Sequence, residues 1–114
     1  MAFFAPGNLK KCELFPGGQS GLVSGEHIML SFLEMAEGAV VPEHSHPEEQ
    51  AGLVLEGSIR LRIGHEEKVI EPGQAYIVPP GVSHSGIVLE GPLRLLDIFA
   101  PPREDYLVKM AGAD

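Results

Sequence analysis

No apolar run in this chain continues far before a glycine or a proline interrupts it. A helix needs an unbroken 3.6-residue period, and interior Gly and Pro cost it about 1 and 3 kcal/mol respectively. Strands of four to eight residues tolerate this punctuation, because Gly and Pro fall in the turns between them. The fourteen glycines and ten prolines therefore predict many short strands and little helix. The candidate strands are 11–15, 27–35, 39–46, 50–55, 58–63, 68–71, 75–78, 84–89 and 93–99. In the stretch 58–63, Ile59, Leu61 and Ile63 face one side while Ser58, Arg60 and Arg62 face the other, the mark of a half-buried strand. Pro42 points to an edge or irregular position in its strand. Turns are expected at Glu37-Gly38, Glu56-Gly57, Gly64 to Glu67 and Pro72-Gly73, and a polar connection at Pro16 to Gly21. Residues Arg103 to Met110 predict a short terminal helix with Pro101 and Pro102 near its start. Roughly eight to ten strands at this spacing imply an all-β antiparallel barrel or sandwich.

The length of 114 residues suits one domain with a single core. A net charge of −8 disfavours nucleic acid and anionic membranes as partners. No apolar stretch of 18 residues is present, so no membrane span is expected, and the N-terminus does not read as a signal peptide. The one cysteine, Cys12, excludes an intrachain disulfide and fits a reducing, cytoplasmic setting. Placed in an early strand, it reads as an inert thiol rather than a nucleophile.

The segment His44-Ser45-His46-Pro47-Glu48-Glu49-Gln50 carries the chemistry. Two histidines one residue apart on a strand point to the same face. Gln50 shares that face if Pro47 does not interrupt the strand, while Glu49 points away. With His84 from a second segment, these residues offer three imidazole nitrogens and an amide oxygen, a set suited to Zn, Ni, Mn, Fe or Co. The alternative is solvated histidines in a polar loop. His65 reads as a turn histidine, and His27 could face either the interior or solvent. Near the C-terminus, Leu93, Leu95, Asp97 and Phe99 share one strand face. A carboxylate on an apolar face needs a partner or has a raised pKa. Asp97 either pairs with Arg103 or caps a turn, or else it serves as a general base with Arg103 binding a substrate carboxylate.

The punctuation around the histidines is itself a pattern. Gly38, five residues, His44-x-His46, three residues, Gln50, six residues and Gly57 form one segment. Gly73, five residues, Pro79-x-Gly81, two residues and His84 form the other. This resembles the two motifs of the cupin superfamily, with Gln50 standing where the family usually has glutamate and Val88 where it has asparagine. The resemblance spans Gly38 to Val88, close to half of the chain. It implies a double-stranded β-helix, a jelly-roll barrel of about residues 26–100 within a single domain 1–114. It also implies one divalent metal held by His44, His46, Gln50 and His84. An all-neutral donor set leaves the ion its full charge, which favours Lewis-acid chemistry on anionic oxygen ligands over oxygen chemistry.

The stretch Asp97-x-Phe99-x-x-x-Arg103 is similar to that of the small cupins that linearise unsaturated monouronates in pectin and alginate breakdown. That likeness implies an enzyme opening a 4,5-unsaturated uronate ring. Asp97 and Arg103 would be catalytic, and Phe99 and Arg103 would contact the carboxylate-bearing sugar. A metal-dependent dioxygenase of a small organic acid and a non-catalytic binding module are the alternatives. Exposed strand edges, with Phe3 and Phe4 nearby, suggest a homodimer.

Overall fold

The computed structural model describes residues 2–112. Among them, eight strands form one antiparallel sheet that folds over itself. Two long strands organise it. β5 (Glu49–Ile63) and β8 (His84–Ala100) pair from Glu49 opposite Ala100 to Ile63 opposite His84. Near one end of this ladder, β8 pairs with β3 (Met29–Met35), and β5 pairs with β7 (Ala75–Val78). Near the other end, β8 pairs with β4 (Val40–His44), and β5 with β6 (Glu66–Ile70). β2 (Gly18–Ser24) and β1 (Lys11–Phe15) extend the sheet beyond β3. Two facing layers sharing two bent strands make the expected jelly roll.

The bends lie where the sequence predicts breaks. The register of β5 against β8 slips repeatedly between Val54 and Ile59. Gly57 sits there with φ of 80°, and a Cβ on it would press on the carbonyls of Glu90 and Pro92. Only glycine allows both. Glu56-Gly57 is therefore a bulge inside one strand, not the expected turn between two, and Gly91-Pro92 likewise lies within β8. Pro16 to Gly21 also differs from expectation. Only Pro16-Gly17 turns, and residues from Gly18 enter β2. Pro42 falls where β4 loses register with β8, as an irregular edge position should.

Strict alternation fills the interior. In β3, Met29, Ser31, Leu33 and Met35 point inward; in β8, Leu93, Leu95, Asp97 and Phe99 do. Val54, Ile59, Val88 and Leu93 are almost wholly enclosed, and each such side chain contributes about 1.5–3 kcal/mol. Two buried hydroxyls, Ser20 and Ser31, satisfy each other at 2.7 Å. The helix α1 (Glu104–Gly112) carries Glu104 and Asp105 in its first turn and Lys109 in its last, matching the helix dipole. It lies against β1 and β2 and buries Tyr106 edge-on against Phe99. Among the described residues, no helix is long and apolar enough to cross a membrane.

Candidate metal centre

Three histidines converge from two elements and a loop. His44 ends β4 and His84 begins β8, and the two are register partners. His46 lies beyond β4, in the loop to β5, so strand alternation is not what aims it. Its Nδ1 is 3.0 Å from the Glu48 carbonyl, which turns the ring inward. The Nδ1 atoms of His44 and His84 similarly meet the carbonyls of Pro42, at 2.7 Å, and Val82, at 2.9 Å. A carbonyl only accepts, so each ring carries a proton on Nδ1, which leaves Nε2 as the nitrogen that can hold a metal. One ligand atom from each ring lies within 4.8 Å of the others.

Two features test whether this cluster fits a cation. The His84 Nε2 is buried and has no hydrogen-bond partner. The His46 Nε2 lies 3.1 Å from the Gln50 Oε1, so two acceptors face each other. Buried acceptors left so cost free energy that a cation between them removes. Burial lowers the pKa of His46, aided by the Arg103 charge, and takes that of His84 down to about 4. Both rings are therefore neutral, as metal ligands must be at pH 7. The three histidines could hold a divalent metal, and the Gln50 oxygen is placed beside them.

Gln50 reaches the cluster from β5, with Pro47 and a loop intervening, and its neighbour Glu49 points to solvent. Asp97 and Phe99 stand on β8, with Phe99 directly opposite Gln50. The Phe99 ring packs on His46 with centroids 5.7 Å apart. Asp97 is buried, and burial pushes its carboxyl up to about 6 against hydrogen bonds from Tyr76 and Gln50 and the charge of Arg103. The Asp97–Arg103 ion pair that the sequence allows does not form. The Tyr76 hydroxyl donates to Asp97 at 2.7 Å, while Arg103 grips Asp105 through Nε at 3.2 Å and an end nitrogen at 2.8 Å. The buried Arg103 guanidinium also stacks 3.8 Å from the Tyr106 ring centre and 5.1 Å from that of Phe99.

His44, Gln50, His84, Asp97, Phe99 and Arg103 all line one cavity of about 240 Å³. His27 and His65 are exposed and lie outside it. Tyr76, Asp105 and Tyr106 line it too, and no motif in the sequence marks them as site residues. The one sequence signal for Tyr76 was indirect: Gly52, a glycine inside a strand, marks a close approach.

Comparison with known proteins places this architecture. The family profile Cupin_2, the cupin domain, matches residues 31–99. The chain belongs to the cupin family. Among relatives of this cupin, the pectin degradation protein KdgF of Dickeya dadantii (strain 3937) is 30% identical over 83 residues, covering 72% of this chain and 76% of that protein. The solved structure of KdgF from Halomonas sp. superposes with a TM-score of 0.86 at 26% identity, covering 93% of this chain and 98% of the other. An RmlC-like cupin from Shewanella frigidimarina gives a TM-score of 0.86 at 25% identity, with 93% and 96% covered. The chain is thus a small cupin similar to pectin-degradation cupins, with three clustered histidines that could bind a metal.

Proposed function

We propose that this cupin opens the ring of a 4,5-unsaturated monouronate to its linear keto form. The observation that carries the reading is the shared cavity. A buried carboxylate, a buried guanidinium and a histidine cluster suited to a cation line one space. Its volume of about 240 Å³ lies just below the common range for ligand sites, about 300–1,000 Å³, which suits one small ring rather than a polymer. Similarity to KdgF proteins supports the substrate class.

The reaction is an isomerisation: a proton leaves the anomeric hydroxyl, the ring C–O bond breaks, and the resulting enol takes a proton on carbon. His44, His46, His84 and Gln50 would hold a divalent ion, which would supply Lewis-acid polarisation of substrate oxygens. Arg103 binds the substrate carboxylate, with its fork exchanging Asp105 for the ligand. Asp97 moves the proton; a carboxyl titrating at about 6 accepts and returns it near neutral pH. Phe99 walls the ring against His46.

The test is incubation of metal-loaded protein with unsaturated galacturonate and unsaturated mannuronate, following loss of the ring-alkene absorbance. The expected result is acceleration by the wild type and none by Asp97→Ala. Equal rates for the two proteins would overturn the reading.

A further inference from the structure

Tyr76, Gly52, Asp97 and Ser31 are successive register partners across β7, β5, β8 and β3. Directly paired residues point to the same face, so Tyr76 and Asp97 flank Gly52 on the interior side. Their strands are two spacings apart, roughly 9–10 Å. A side chain at position 52 would stand between them. A Cβ built there would overlap the end of the Tyr76 ring and its hydroxyl. The bare glycine is therefore a slot: the phenol crosses β5 through it and places its hydroxyl 2.7 Å from Asp97.

The next inward position on β5 is Gln50, diagonal to Asp97 and Tyr76 across the ladders on the same face, and its side-chain amide draws down the pKa of both. An ionised carboxylate can only accept, so the amide must offer it N–H. That leaves the amide oxygen at the other end, 3.1 Å from the His46 Nε2. A flipped amide would press its oxygen on the carboxylate and turn N–H groups toward the histidines.

We propose that Tyr76, crossing the Gly52 slot, is a positioning residue that fixes Asp97 and through it the Gln50 amide, oxygen toward the three histidines. This deepens the metal reading above and rests on it. Outer partners of metal ligands commonly alter metal affinity about 10- to 100-fold, although they touch no metal.

The test is competition for Zn²⁺ against a chromogenic chelator, using wild type, Tyr76→Phe, Gln50→Ala and the double variant. Tyr76→Phe keeps the ring and its packing and removes only the hydroxyl. It is expected to weaken Zn²⁺ binding about tenfold or more in the wild-type background and by less than about twofold in Gln50→Ala. A merely structural role would act alike in both backgrounds. Wild-type affinity in Tyr76→Phe, or an equal loss in both backgrounds, overturns the proposal and leaves the metal reading standing. A wild type that takes up no Zn²⁺ overturns both.

Discussion

Two polar clusters meet at the cavity, and they are held in different ways. Each histidine is oriented by a main-chain carbonyl two residues away: Pro42 for His44, Glu48 for His46 and Val82 for His84. The Tyr76–Asp97–Gln50 cluster instead draws one side chain from each of three strands, and its contacts are between side chains. The first cluster is carried by short segments that need only be brought together. The second exists only when β7, β5 and β8 are in register. Histidine orientation is thus local, while the Gln50 amide and the Asp97 carboxyl depend on the whole sheet.

The sharpest way to break this contrast is to remove one histidine. His84→Ala is expected to lower Zn²⁺ affinity by more than about 100-fold, beyond the range of outer-partner changes. Because its neighbours are local, the Tyr76–Asp97 bond should survive, and the fold with it. Chelator competition reads the first effect and thermal unfolding the second. Collapse of the fold in His84→Ala would contradict the separation of the two clusters.

Tyr106 probes the long-range side. Burial pushes its hydroxyl up to about 12, with the Arg103 charge opposing and the charges of Asp97 and Asp105 adding. An acid with a raised pKa keeps its proton in the folded state after the unfolded state has lost it. Stability therefore falls as pH rises from about 10 to about 12. The chain has two tyrosines, so in Tyr76→Phe the absorbance of tyrosinate reports Tyr106 alone. Its onset is expected about two units higher in folded than in urea-unfolded protein. Coincident curves would show that α1 does not seal Tyr106 against Phe99.

Gly52→Ala attacks the slot itself. The new methyl overlaps the Tyr76 ring, and overpacking of this kind costs about 1–3 kcal/mol. Urea unfolding should show that loss, whereas Gly7→Ala, which meets nothing within 4 Å, should change stability by less than about 0.5 kcal/mol. Equal costs at the two positions would remove the slot.

The same difference decides what was legible in the sequence. The strand pattern, the two punctuated segments that carry the histidines and the buried carboxylate are legible because each rests on spacing within its own segment. The sequence predicts each long strand as a pair of short ones, because Gly57 and Gly91-Pro92 mark a bulge with the same residues that mark a turn. The role of Tyr76 was not readable, since nothing within 75–78 says that a glycine on β5 lies opposite. The partner of Arg103 stays open in the sequence for a related reason. Asp97 and Asp105 are both near it in sequence, and the start of α1 puts Asp105 beside the fork while Tyr76 and Gln50 occupy Asp97.

That Arg103–Asp105 contact is the local case on the far side of the cavity, and it should prove the weakest. Its carboxylate is more than half exposed, so water screens the pair, and exposed ion pairs contribute about 0–1 kcal/mol. The guanidinium is buried and lies over the rings of Tyr106 and Phe99, which hold it whether or not the carboxylate is charged. Asp105→Asn is therefore expected to shift the urea midpoint by less than about 1 kcal/mol equivalent, whereas Tyr106→Ala, which removes a buried ring, should cost about 3 kcal/mol or more. If Asp105→Asn proved as costly as Tyr106→Ala, the ion pair rather than the ring stack would be what positions Arg103. The cation that lines the cavity would then be set by two residues of local sequence, as the histidines are.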